Sequence, residues 1–268
     1  MVRHPAVAGQ FYPSQPDRLL SDVRAMLGPL PQTRMKAVGV VSPHAGYVYS
    51  GGIAGRLLAS VEIPRTVLLL GPNHHGIGSP AALYPAGEWE TPLGCVPVSA
   101  RLTGLLKEYV AGCTEDAVAH QYEHSLEVQI PFLQVLRPDV DIAAVCLGFG
   151  DYAAARRVGE GVAAAVEAFG EDVLIIASSD MSHYESDDTA RELDDLAVRK
   201  VLDLDPQGLH HVCRERRITM CGVVPATAML VAAGNLGATR AELVGYATSG
   251  DVNGDKRRVV GYAGIAVC

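Results

Sequence analysis

Three apolar, β-branched runs in this chain each end in a loop that carries histidine. Ala37–Ser42 is followed by Pro43-His44-Ala45-Gly46-Tyr47, and Thr66–Leu70 by Gly71-Pro72-Asn73-His74-His75-Gly76. Val173–Ala177 is followed by Ser178-Ser179-Asp180-Met181-Ser182-His183-Tyr184. Four of the nine histidines therefore sit just past strand ends, where open α/β sheets bind their ligands. Neutral imidazole is the commonest metal ligand, and a metal site needs such rings to converge from separate rigid segments. One isolated loop histidine is more often satisfied by backbone; three strand ends carrying them favour a site. His74 and His75 are adjacent, so only one of them faces that site.

Other residues add chemistry around the histidines. Asp180 and His183, three apart, suit proton transfer or a carboxylate that orders an imidazole, while Asp180 could equally cap the next helix. His124 lies between Glu123 and Glu127 at an expected helix start. Either the carboxylates raise its pKa and it faces substrate, or it caps the helix. Cys221 precedes an apolar helix, whose N-terminus would favour the thiolate. Spacing alone does not separate Cys221 from Cys146. His210 and His211, among Arg214, Arg216 and Arg217, read as a solvated face. Gly51-Gly52-Ile53-Ala54-Gly55 fits no phosphate-loop fingerprint and reads as tight packing. Asp251–Asp255 lacks full calcium-loop spacing and reads as a turn. Trp89 either edges the pocket or packs.

The elements that must position these groups alternate. Strands are expected at Ala37–Ser42, Thr66–Leu70, Asp141–Leu147, Val173–Ala177, Glu242–Ala247 and Val259–Val267. Helices are expected at Asp17–Leu27, Gly52–Ser60, Ala100–Val110, Ser125–Leu136, Tyr152–Phe169, Asp187–Leu202 and Pro225–Ala233. Asp151 and Ser186 are natural caps, and Gly28-Pro29 stops the first helix. The last two strands read as an antiparallel pair. The pattern predicts an α/β sandwich around a mixed, partly parallel sheet. With no repeat or Pro/Ser-rich linker, residues 1–268 read as one domain.

Composition excludes several classes. The 22 basic and 30 acidic residues of 268 leave a net charge of −8, which argues against a nucleic-acid partner. An apolar content of 49% supports a substantial core. The six cysteines form no CxxC pair or zinc-ribbon spacing, so a reduced, cytoplasmic setting is expected. Met1–Pro13 has no signal-peptide h-region, and no apolar run reaches the ~18 residues of a membrane helix.

Six motifs in order then mark a family. Ala6–Pro13, Pro43–Tyr47, Gly71–His75, Glu123–Glu127, Ser178–Asp180 with His183, and Cys221-Gly222 resemble the Memo-like family, whose prokaryotic members are called AmmeMemoRadiSam system protein B. The resemblance runs nearly end to end and implies a fold similar to the catalytic subunit of class III extradiol ring-cleaving dioxygenases. It implies metal ligation by His44, His74 and Cys221, with Asp180, His183 and His124 as catalytic pocket residues. Ring-cleaving dioxygenases hold Fe(II) on two histidines and a carboxylate; here a softer thiol takes the third place, which shifts preference toward copper or zinc. The implied cofactor is iron or copper, with zinc as the alternative. The implied role is a redox or oxygenase-type one. Zinc- or cysteine-dependent hydrolysis and a non-enzymatic metal-binding adaptor are the competing readings. The family name also implies association with AMMECR-type and radical-SAM proteins.

Overall fold

Apolar runs without polar alternation need cover on both faces, and the central strands are used in that way. The computed structural model describes residues 1–148 and 150–268. Its strands are β1 (Val2–Arg3), β2 (Gly39–Ser42), β3 (Thr66–Pro72), β4 (Ala81–Leu83), β5 (Glu88–Thr91), β6 (Gly94–Pro97), β7 (Thr114–Glu115), β8 (Asp141–Leu147), β9 (Val173–Ser178), β10 (His183–Glu185), β11 (Ala241–Thr248) and β12 (Val259–Val267). Its helices are α1 (Pro16–Leu27), α2 (Gly52–Ser60), α3 (Ala100–Tyr109), α4 (Ile130–Leu136), α5 (Tyr152–Phe169), α6 (Asp187–Leu202), α7 (Pro206–Glu215), α8 (Val223–Asn235) and α9 (Ser249–Asn253).

Among the described residues, nine strands form one sheet in the order β10-β12-β2-β9-β3-β8-β4-β7, with β11 also paired to β12. β2, β9, β3 and β8 run parallel. β12 joins β2 antiparallel, with Ile265 opposite Val41, and β11 pairs with β12 antiparallel as expected. A second, small sheet is formed by β1-β5-β6. Successive residues of a strand face opposite sides, so each central strand feeds two cores. Val41, Leu68, Leu70 and Ile175 pack with Val162 of α5 and Met229 of α8. Val40, Val67, Leu69 and Ile176 pack with Leu19 of α1 and Leu57 of α2. The expected α/β fold around a mixed sheet is present, and no helix among the described residues is long and apolar enough to cross a membrane.

Local signals explain the boundaries. The Asp151 carboxylate accepts from Ala154 N (2.8 Å) and Ser186 Oγ from Thr189 N (3.3 Å), capping α5 and α6. A Cβ on Gly55 would lie 2.5 Å from Met26 O, so its role is close packing of α2 on α1. The helix expected at Ser125–Leu136 is shorter: Glu127–Gln129 form a 3₁₀ turn and α4 begins at Ile130, because the carboxylates at its start are drawn into other contacts. α8 begins at Val223, with Pro225 inside its first turn, where a missing N–H is tolerated. Asp251 closes a capping box with Thr248, which turns the expected loop into α9, ended by Gly254 at φ +76°. The short strands β4 to β7 span two to four residues each, too few to show a period.

Trp89 packs rather than edging a pocket: it is fully buried beneath the Arg3 guanidinium, 4.5 Å from its ring centroid. His120 stands edge-on to it and to Tyr84. The His120 Nε2–H donates to Ala82 O (3.0 Å), while Nδ1 faces the Cys146 thiol at 3.5 Å, an arrangement for a neutral ring. Burial chiefly lowers its pKa to about 4. An unfolded histidine titrates near ~6.5, so the unfolded chain binds the proton first on acidification. The stabilisation from this neutral ring is whole above that pH and is lost as pH falls toward 4, amounting to about 3 kcal/mol. In urea unfolding across this range, His120→Gln is expected to show a shallower loss of stability than the parent. Equal slopes would contradict this account.

Candidate metal centre

β2, β9 and β3 are neighbours in the sheet and parallel, so their carboxyl ends deliver His44, the Asp180–His183 loop and His74 to one edge. Cys221 is supplied by a separate segment, the turn before α8. Gly222 permits this approach, because a Cβ there would lie 2.4 Å from Ser178 O and from Ser179 Cβ. The Gly222 amide instead donates to Ser179 Oγ (2.9 Å). One donor atom each from His44, His74 and Cys221 lies within 4.8 Å of the others. Cys221 Sγ is 3.2 Å from His44 Nε2.

Supporting contacts determine which ring nitrogens remain free. Ser178 Oγ donates to Ser125 O (2.6 Å) and accepts from Gln129 Nε2 (3.0 Å). With its proton committed, it accepts the His44 Nδ1–H at 2.9 Å, leaving the lone pair on Nε2 beside the thiol. Glu123, fully buried, accepts from His74 Nδ1 (2.8 Å) and from the amides of His74 (2.7 Å) and Ser125 (2.9 Å). Burial works against the Glu123 carboxylate, but the His74 ring and the two amides hold its pKa well below the usual range. His74 Nε2 is therefore its free nitrogen, in the carboxylate–imidazole arrangement that orients metal-binding histidines. Two neutral imidazole nitrogens and one sulfur form a donor set that suits iron, copper or zinc. His75 turns outward to Tyr122 O (3.0 Å).

Around these donors lie the other residues singled out by sequence. His124 stacks on His74 at 4.7 Å and packs against Phe11 at 4.6 Å. Its pKa is lowered to about 4, opposite to the expectation, because burial outweighs Glu123 and Glu127. The Glu127 carboxylate is turned instead to Arg3, Tyr12 and the amides of Ala6 and Val7. Asp180 does not cap α6; its carboxylate accepts from His44 N at 2.7 Å and its amide donates to Cys221 Sγ at 3.3 Å. Burial pushes Asp180 up to about 6. Burial, reinforced by the Asp180 charge, also pushes the Cys221 thiol up, not down as a helix N-terminus would; Cys221 lies outside the first turn. His183 Nδ1–H donates to Thr219 O (2.9 Å), leaving Nε2 to accept protons. Cys221 and His183 line one cleft of about 750 Å³. Asp194 on α6 supports that loop by accepting from Ser182 N (2.9 Å).

The Memo-like protein family model matches residues 3–266. The chain belongs to the Memo-like family. It is 43% identical to a MEMO1 family protein of Methanosarcina barkeri, over 99% of this chain and 100% of that one. A MEMO1 family protein of Methanopyrus kandleri is 42% identical over 99% and 98% of the two chains. One of Pyrobaculum arsenaticum is 41% identical over 98% of each.

In the sequence of this Memo-like chain Ser178, Gln129 and Thr219 do not stand out as partners of the histidines, and Glu123 reads as a partner of His124 rather than of His74. Glu123 and Ser178 stood inside recognised motifs, which was the available signal. Replacing the buried carboxylate by Glu123→Gln is expected to weaken metal binding by ~10–100-fold. Metal titration with competing chelator measures this; an unchanged affinity would remove Glu123 from the site.

Proposed function

We propose that this chain holds a transition metal on His44, His74 and Cys221 and uses it in redox or oxygenase-type chemistry, with iron or copper as the metal. The observation that carries the reading is the convergence of two imidazoles and a thiol within 4.8 Å, from three separated segments. Three protein donors leave coordination positions open, and a metal bound there would supply redox and Lewis-acid chemistry to a small molecule.

The chain's own residues then have distinct tasks. Ser178 and Glu123 keep the His44 and His74 rings turned so that Nε2 is available. Asp180 holds the His44 backbone and so the distance between His44 and Cys221. His183, anchored through Nδ1 to Thr219, exchanges protons through Nε2 at the cleft wall. His124, packed between His74 and Phe11, steadies the His74 ring.

The deciding experiment is metal identity and oxidation state in protein purified without air or added metal. Stoichiometric iron or copper that changes oxidation state with oxygen supports the reading. Stoichiometric zinc with oxygen-independent turnover would replace it with a hydrolase, and absence of any stoichiometric metal would overturn it.

A further inference from the structure

The cleft that holds Cys221 and His183 extends along α7 to its last turn, where Arg214 joins the wall. Most of the other polar groups there are already engaged. The Asp151 carboxylate caps α5, accepting from Ala154 N at 2.8 Å. His210 Nε2 lies 3.2 Å from Gly150 O. Thr219 Oγ1 accepts from His183 N, and Thr219 O takes the His183 ring proton. The adjacent Glu215 carboxylate pairs with His211 at 3.0 Å, away from Arg214. Among the described residues, Arg214 has no carboxylate within ion-pair distance.

A basic residue in the last turn suits the helix dipole, but that does not account for this exposed guanidinium lining the same cleft as Cys221 and His183. The same wall carries the apolar side chains of Ile218, Met220 and Val223. A guanidinium binds a carboxylate through two parallel hydrogen bonds. Asp151, on the same wall, disfavours a second negative charge on the ligand. We infer that this cleft binds a small monocarboxylic acid with an apolar body, its carboxylate on Arg214 and its other end at Cys221 and His183. The inference rests on the proposed metal site for the placing of the reacting end; the carboxylate subsite does not depend on it.

The test compares 3-phenylpropanoate with its uncharged amide, 3-phenylpropanamide, by calorimetric titration of the full chain. The acid should bind about tenfold more tightly than the amide, a difference of ~1.4 kcal/mol. Arg214→Gln should abolish the difference, Arg214→Lys should retain part of it, and Arg216→Gln, outside the cleft wall, should leave it intact. Equal binding of acid and amide, or no binding of the acid at millimolar concentration, would overturn the inference. So would discrimination that survives in Arg214→Gln, or phenyl phosphate binding more tightly than the acid. Metal content measured on the same preparations separates the two readings. Acid selectivity without metal would overturn only the metal reading, and full metal without acid selectivity only the subsite.

Discussion

Cys221→Ala is expected to lower metal affinity by more than the ~10–100-fold that loss of a supporting partner costs. The reason lies in the donor count. With the sulfur gone, His44 and His74 remain as two neutral imidazoles, and the soft, anionic donor that favours copper, iron or zinc over harder cations is absent. The fold should be little affected, since the thiol contacts polar groups at the pocket, among them His44 Nε2 and the Asp180 backbone, and fills no part of the apolar core. Cys146→Ala is the matched control. Cys146 is fully buried beside His120, so its loss should cost stability and leave metal affinity alone. Anaerobic metal titration with thermal melts of both variants checks this; equal affinity in Cys221→Ala and the parent would exclude the sulfur as a donor.

The largest loss of stability is expected at Glu127. Its fully buried carboxylate pairs with Arg3, takes the Tyr12 hydroxyl at 2.5 Å and accepts the amides of Ala6 (2.8 Å) and Val7 (3.1 Å). Arg3 is itself buried, donating also to His120 O (3.0 Å) and Glu123 O (2.6 Å). Glu127→Gln leaves a buried guanidinium without its counter-charge, which costs about 3–5 kcal/mol when one partner of such a pair is removed. Arg3→Met in the same chain should recover part of the loss, because no unpaired charge remains. Urea unfolding of both single variants and the double variant measures the coupling. Strict additivity would mean that the two side chains act independently.

How far the sequence carries depends on the range of each interaction. His44, His74 and His183 were legible because each follows an apolar run that ends as a parallel strand, and β2, β9 and β3 lie side by side. The long strands and helices were legible for the same reason: their periods and caps are local. Cys221 could not be separated from Cys146 by spacing; the close approach of Gly222 to Ser178 brings it to the histidines, and only the resemblance pointed there. Glu123 read as a partner of His124, and its Oε1 does lie 3.5 Å from His124 Nδ1, but it accepts hydrogen bonds from His74, 49 residues earlier. The pKa directions of His124 and Cys221 ran opposite to their sequence neighbours because burial, a property of the whole fold, dominates both.

The distance along the chain between Cys221 and His44 is 177 residues, and this separation governs when the pocket comes into being. No stretch of chain shorter than that span contains both donors, and β12 must still pair beside β2 to complete the central sheet. Closing such long loops is entropically costly and makes folding slow. A nascent or partly folded chain thus offers scattered single donors, and the three-donor set arises only when the β2 and α8 ends meet. If the proposed metal binds, its capture would therefore serve as a checkpoint on assembly: a stoichiometric ion would certify that distant halves of the chain have come together.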